Sequence, residues 1–552
     1  MLYVFKPRLV TAVTVTALLF SGSAPLFAIW STAMPISEAP SMINPTPSNL
    51  AIDANSNAIT GWLQGELGTD NTLYTSSLPA GASRWNPDVL LYEGTAPQFA
   101  TFPLLFANKN GVIRAAWANF HQGDTGFDET SLATTTQTVL SYYWPAPVAS
   151  DALTGFPNGG SVGADESGNC VVVLATAPDS NANTPPFSIN YFAFNSDANS
   201  WSGPVNLDTD NTYASPAVFA ASAKGNAVLG WRADSILKTA RYNFATNTVT
   251  PIDEIPLPSG TTNVGFIQGA MGDNGDVVAV FSVQIAYENN FYLYASFLPK
   301  ESDIWTFPIP VSDPTNNSNG MLLSVKTDKN SDSTLVWGEV TPDNTLYIRA
   351  ATLPFGEDLS EISNLTSPSP TTPTTPSDSS SILLDIDAWG NAVAVWQFLV
   401  DEAPTVQVAS CLKGGSWSNA LTLSSTGLLP RVVLSDQGTA VAVWLDTETS
   451  YLKGARNNRL FPVMRPSSFG GYIVEAGDDY ELHLHWSPSR APNVLNYQIF
   501  KDGELLANVA GEGPYTYVHT LGCDSLEDAA YTLVAVASNG NKSTPLPLVL
   551  AN

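Results

Sequence analysis

The stretch Asp387-Ala-Trp-Gly-Asn-Ala-Val-Ala-Val-Trp396 constrains the fold most, because it recurs along the chain. Ser435-Asp-Gln-Gly-Thr-Ala-Val-Ala-Val-Trp444 is its clearest echo. Six weaker copies come earlier and close on Trp62, Trp117, Leu174, Trp231, Phe281 and Trp337. Each sets a turn, usually with Gly, ahead of small apolar residues and a large closing side chain. Successive closers lie 48 to 59 residues apart, and a period of that size means an array of like modules.

Each module from about residue 43 to 465 parses into four short strands. In the last one, Pro430–Leu434 is the first strand, 435–438 turns it, and Thr439–Trp444 is the second. Alternating Ala and Val in that second strand suit burial on both faces. Tyr451–Arg456 is the third, and the fourth is clearest one unit earlier, at Trp417–Leu423. Its counterparts begin at Trp85, Trp201 and Trp305, each followed by a Pro that belongs at a sheet edge. Four strands per unit, eight units and no helical period predict an all-β chain with a β-propeller of about eight four-stranded blades. No strand borrowed from the far terminus is needed on this count. Eleven of the 14 Trp fall at the end of strand two or the start of strand four, which predicts blade-to-blade packing. The Pro-, Ser- and Thr-rich stretch 364–381 reads as an extended loop, because the repeats resume in phase after it.

Composition narrows the function. Formal charge is −28, a surface that repels nucleic acid and anionic lipid and leaves protein, carbohydrate or cationic ligands. Three widely spaced Cys make no disulfide framework, and Cys170 and Cys411 sit in apolar strand patterns as small hydrophobes. Residues 1–28 have a signal-peptide pattern: Lys6 and Arg8, an apolar run from Leu9 to Phe20, then small residues. Cleavage after Ala28 or after Ala33 fits. A secreted, periplasmic or cell-surface monomer with no membrane span after cleavage is therefore expected.

These repeats resemble bacterial secreted β-propeller proteins, over about three quarters of the chain. They lack the Gly-His and Trp-Asp marks of WD40 repeats and the Gly-Gly pair of kelch repeats. Ser435-Asp-Gln-Gly438 resembles the Asp-box of sialidases, but there the aromatic follows the glycine more closely. After residue 465 the pattern changes: Tyr480–Trp486 alternates, Asn496–Phe500 is a strand, and Lys501-Asp-Gly-Glu504 is a tight hairpin turn. Residues 467–552 resemble a fibronectin type III domain, a β-sandwich, with Trp486 and Tyr497 at its core positions. Tyr531, with Asn539-Gly540, matches its tyrosine-corner strand and turn. The resemblance implies a spacer or adhesive module.

Loops joining strands two and three face away from the Asp-x-x-Gly turns and gather acids from every unit: Glu66 and Asp70, Asp124, Asp128 and Glu129, Asp179, Asp234, Glu288, Glu339 and Asp343, Asp401 and Glu402, Asp446 and Glu448. Such a ring can be plain solvated charge, a face for cationic or hydroxyl-rich ligands, or a source of paired carboxylates for glycoside hydrolysis. Ala118–Gln137 reads as the longest of these loops, carrying Phe120, His121, Asp124, Asp128 and Glu129. With Asp234, Asp401 and Glu402 they form the expected ligand-binding set. Asp208 and Asp210 are a candidate for Ca²⁺, and no other cofactor has a motif. His483 and His485 share one strand face, where exposure rather than zinc is expected. No phosphate loop, zinc-protease helix or nucleophile elbow is present, so a binding or envelope scaffold protein leads, with a carbohydrate-active hydrolase or lyase as the alternative.

Overall fold

The computed structural model describes the chain from Trp30 to Leu550. It leaves aside 38–45, 65–70, 179–185, 221–224, 319–322, 367–380, 459–465, 490–493, 523–528, 538–541 and several pieces of one to three residues. The expected leader and most of the loop at 364–381 lie outside the described residues.

Every repeat becomes an antiparallel sheet, and eight such sheets follow one another as the blades of a propeller. The first blade runs Thr46–Ile52, Ala58–Gln64, Asn71–Leu78, Val89–Gly94 in spatial order, the meander read from the sequence. The second strands are the buried spine of each blade: Val393, Val395, Val441 and Val443 are sealed from water. Apolar clusters run from each blade into the next, one joining Val433, Val441 and Val443 of the eighth to Leu50, Ala58 and Trp62 of the first. That cluster closes the ring.

Closure differs from the expectation. The eighth blade takes its outermost strand, Met34–Pro35, from the far terminus, paired antiparallel with Leu452–Asn457. Ser31 N–H donates to Arg456 O at 2.8 Å and Ile36 N–H to Leu452 O at 2.7 Å. Among the described residues after 457 none forms a fourth strand of this blade, and the edge of its third strand is covered from the start of the chain. Trp30 packs into the core between the seventh and eighth blades, in the position that Trp417 and Trp305 hold in theirs. In each case the following residue bonds to strand three: Ser31 to Arg456 O, Ser418 to Ser410 O, Thr306 to Phe297 O. Of the two cleavage points expected from the sequence, the one after Ala33 would remove Trp30 and Ser31 from this blade.

The turn between strands one and two is the most regular local structure. Its fourth residue has a positive φ in all eight blades: Ser56, Gly111, Gly168, Gly225, Gly275, Ser331, Gly390 and Gly438. Gly occupies six of the eight because a Cβ is strained there. The Asp that opens the turn accepts from the fifth residue; Asp387 takes Asn391 N–H at 3.0 Å and Asn391 Nδ2 at 2.7 Å. Asn391 Oδ1 in turn accepts from Lys413 N at 3.1 Å, tying this turn to the one between strands three and four. Asn57 and Asn169 do the same to Ala80 and Ser196. Bonds from turn to turn then link the blades: Ser56 Oγ to Ser435 Oγ at 2.9 Å, and Lys413 Nζ to Asp332 at 2.7 Å.

The tryptophans pack as the repeat predicts. Trp62, Trp117, Trp337, Trp396 and Trp444 are fully buried at the ends of second strands. Trp144 of the second blade donates to Thr75 of the first at 2.9 Å, and Trp305 of the fifth to Thr239 of the fourth at 3.0 Å. Cys170 is buried, and loss of solvation pushes its thiol up to about 12, in keeping with an inert hydrophobe.

The C-terminal part is two four-stranded sheets around one core. One sheet has the order Thr516–Gly522, Asp479–Trp486, Phe469–Ala476, Val549–Leu550. The other runs Glu504–Ala510, Val494–Lys501, Tyr531–Ala537, Leu546–Pro547. Trp486, Tyr497, Ile499 and Leu533 meet between them. The turn at Asp502 and Gly503 has positive φ at both positions, the hairpin geometry read from Lys501-Asp-Gly-Glu504. Tyr531 spends its hydroxyl on His519 Nδ1 at 2.8 Å, and Asn539-Gly540 lies outside the described residues. Among the described residues no helix is long and apolar enough to cross a membrane.

Candidate functional site

The segment 118–137 is not a loop. Val112–Gly123 and Gly126–Thr138 form one long hairpin, in which His121 stands opposite both Gln98 and Glu129. Phe120, 5% exposed, packs against Leu132, Val172, Leu174 and Phe192 between the second and third blades. It is an interblade wedge rather than a ligand contact. His121 is half-buried and Glu129 exposed, so the hairpin presents these two but not Phe120. Asp128 lies on the returning strand, and Asp124, Asp401 and Glu402 lie outside the described residues. The sequence pattern failed here because a strand with alternating polar residues and a polar loop look alike until the partner strand is known.

Several acids of the expected ring are structural. Glu339 is buried and accepts Trp337 Nε1 at 3.1 Å, with Arg349 at 3.4 Å. Asp446 is buried, which alone would raise its pKa. Hydrogen bonds from Thr449 and Thr426, and the ammonium of Lys453 at 3.0 Å, outweigh that and hold it below the usual carboxylate range. Asp234 is exposed in a turn with φ of 54° and accepts Thr212 N–H at 2.8 Å. Asp208 gives one oxygen to both Trp231 Nε1 and Lys238 Nζ, each at 2.8 Å. Hydrogen bonds from Lys238 and Trp231, with the lysine's charge, overcome the effect of burial and lower its pKa. Asp210 follows on the same strand, and among the described residues no group of three His, Cys, Asp or Glu side chains stands ready for a metal ion. In the C-terminal sandwich His483 contacts Glu481 at 3.0 Å and stacks on Tyr472, while His485 is exposed.

A large concavity lies elsewhere, and its origin is the ring itself. First strands of the blades stand innermost and run toward the Asp-x-x-Gly turns, leaving a channel mouth of about 830 Å³ among them. Ala51, Leu105, Gly163, Gly269, Val325, Asp385 and Val433 contribute to its wall, one from each of seven blades. Most of these wall positions are small or aliphatic, because adjacent inner strands must approach closely.

Charge enters this mouth at a few points. Lys326 is exposed within it, and among the described residues it has no carboxylate within ion-pair distance. Asp385, on the next blade, accepts Leu434 N–H at 2.7 Å. Burial raises the Asp385 pKa, against the opposing pull of the Lys326 charge and its backbone hydrogen bonds. Arg114, 7% exposed, lines the mouth with its guanidinium 4.1 Å from the centre of the Phe194 ring and Nη1 3.4 Å from Thr134 Oγ1. Asp165 beside it is spent on its own turn, accepting Asn169 N–H at 2.9 Å and Nδ2 at 2.8 Å. Glu166, Asp197 and Asp273 complete the charged rim. The arrangement offers donors and acceptors at fixed places around a mouth whose lining mixes polar and aliphatic groups. The sequence held one clue to this place: Lys326 and Asp385 are the one charge in each of their first strands, both next to the last residue.

No known protein family matches the chain, and no curated protein matches it. Among solved structures it is similar to a protein of unknown function from Dyadobacter fermentans, at 11% identity and TM-score 0.37, over 78% of this chain and 98% of that one. It is also similar to the Dos1 propeller, at 8% identity and TM-score 0.42, over 77% and 95% of the two chains. An α-L-arabinanase of Penicillium chrysogenum is similar at 12% identity and TM-score 0.33, over 54% and 92%.

Proposed function

We propose that this chain is a secreted or cell-envelope binding protein that holds a small, hydroxyl-rich ligand in the channel mouth. One observation carries the reading: a cavity of about 830 Å³ ringed by first strands, with Lys326 and Asp385 placed inside it on consecutive blades. That volume is in the range of sites that enclose a small ligand, and the rigid ring holds its polar groups in place without a folding cost on binding. An oligosaccharide fits this mixture of apolar wall and charged or amide rim better than a nucleic acid does, given a net charge of −28. The C-terminal sandwich, whose strand order is consistent with a fibronectin type III module, serves as spacer or surface contact. The chain acts as a monomer.

A hydrolase reading attaches to the same cavity through Asp385, a carboxyl whose pKa burial raises beside an open mouth, as a general acid requires. One experiment separates the two. The purified chain is screened against a glycan array, and retained glycans are followed by calorimetry and product analysis. Binding without turnover, weakened at least tenfold in Lys326→Met and unchanged when Glu129 is replaced by Gln, supports the binding reading. Product formation lost in Asp385→Asn overturns it in favour of hydrolysis. No retention of any glycan rejects the ligand class.

A further inference from the structure

Strand four of each blade begins at one equivalent position, and that position docks on the preceding blade. Its occupant is read from the residue's partner on strand three or from the backbone bond that follows it. Six blades place an indole there: Trp30, Trp85, Trp144, Trp201, Trp305 and Trp417. In the sixth blade it is Leu359, and Phe355 refills the space by packing edge-on against Phe297 of the fifth, 5.2 Å between centroids. In the fourth blade it is Val249. Val249 pairs with Tyr242 as Trp201 pairs with Phe194, and Asn247 and Asn199 share the same left-handed turn position.

Compensation at the interface of the third and fourth blades is incomplete. Tyr191 stands where the first and fourth blades have Thr75 and Thr239, and it packs with Val249 and Tyr242 in one cluster. Beside them remains a crevice of about 150 Å³ lined by Ala193, Phe194, Trp201, Tyr242, Phe244 and Asn247. Its aromatic walls are held in place: Phe194 and Trp201 meet edge-on at 5.3 Å, Tyr242 and Phe244 at 4.9 Å. A polar seam runs along the rim, Tyr242 Oη donating to Asn247 Oδ1 at 2.8 Å and Asn247 Nδ2 to Ser202 Oγ at 2.7 Å.

We propose that this crevice is a second binding site, separate from the channel mouth, for one free aromatic ring of the indole or phenol class. The other interfaces of the same ring supply the argument, since an indole fits that junction wherever the sequence provides one. A space of about 150 Å³ has the volume of a single six-membered ring, and this one is lined half by apolar and half by polar groups. Aromatic side chains among the lining residues favour an aromatic occupant over an aliphatic one, and the seam of Asn247 and Ser202 offers a partner to a ring N–H or O–H. The occupant is a small molecule rather than a peptide, because the fourth blade's own strand Thr248–Ile252 already covers the edge along which the resident indoles arrive.

The test uses the full chain with indole, phenol, cyclohexanol and N-acetyl-tryptophanamide as probes, followed by calorimetry and ligand-observed NMR. Saturable binding of indole or phenol, at least fivefold tighter than cyclohexanol, is expected. Ala193→Met fills the crevice and should weaken indole at least tenfold while leaving the unfolding midpoint unchanged or higher. Ser202→Leu, a second filling variant on the neighbouring strand directly across from Ala193, should do the same and covers the case in which the first fails to fold. Absence of saturable binding by any aromatic probe, or equal affinity in the filled variants, overturns the proposal. Tighter binding of N-acetyl-tryptophanamide than of indole overturns the small-molecule assignment.

Discussion

Replacing Ile36 by Ala tests the closure of the ring. Ile36 lies next to the two-residue strand Met34–Pro35 and is 3% exposed, within a cluster that includes Trp62, Trp85, Val443 and Leu452. A Cβ on Gly454 would stand 3.1 Å from both Ile36 Cδ1 and Trp85 Nε1, so strand three has kept a glycine where this side chain and the indole press in. The substitution removes three carbons from a closed site. At about 0.8 kcal/mol per buried methylene plus a cavity term, the loss is about 3 kcal/mol. For a propeller of roughly 430 residues the unfolding entropy is about 0.9 kcal/mol/K, so the melting midpoint should fall by ~3 °C. The larger signal is local. Opening of the terminal strand should become easier by the same ~3 kcal/mol, a rise of roughly a hundredfold in amide exchange at Leu452, whose N–H bonds Ser37 Oγ at 3.2 Å. Calorimetry and hydrogen exchange read the two effects, with Ile304→Ala, 67% exposed, as the control expected to change neither. A loss below 1 kcal/mol with unaltered exchange at Leu452 would mean that the first strand only decorates the eighth blade and that the ring closes without it.

Two further outcomes follow from the turns. Gly390→Ala forces a Cβ into a φ of 84°, 2.8 Å from Asp328 Oδ2 and 2.9 Å from Lys413 Cδ, and should cost about 2 kcal/mol or more in denaturant unfolding. Gly356→Ala has a similar φ of 76° with open space around it, and should cost about 1 kcal/mol. Asp387 is raised by burial to about 6, against an ordinary value of 3.8, despite hydrogen bonds from Asn391 and Trp389 that favour its charge. The folded state therefore binds this proton more tightly than the unfolded chain. Its effect on stability is most favourable below about pH 4 and is lost as pH rises through about 6, by at most ~3 kcal/mol. Unfolding midpoints across that range should fall less steeply in Asp387→Ser, the residue that the eighth blade carries as Ser435; identical slopes would refute the assignment.

What the sequence determined by itself is what neighbours along the chain enforce. The Asp-x-x-Gly turn needs a positive φ four residues in, so its spacing exposed all the blades but the identity of the last edge strand. Alternating Ala and Val told which strand is buried on both faces, and the Asp-Gly pair at 502–503 placed a hairpin in the sandwich. Tertiary structure decided the rest because it joins residues that no local pattern connects. Ser31 meets Arg456 across 425 residues, and Trp30 sits so near an apolar, leader-like stretch that its role in the eighth blade could not be read from it. The face that carries a cavity depends on how closely eight first strands approach one another, a property of the closed ring. Acids in the loops between strands two and three made the opposite face look functional, yet Glu339 and Asp446 are buried there with partners of their own. The crevice beside Tyr242 also needed the three-dimensional register, since its lining brings together residues of two blades.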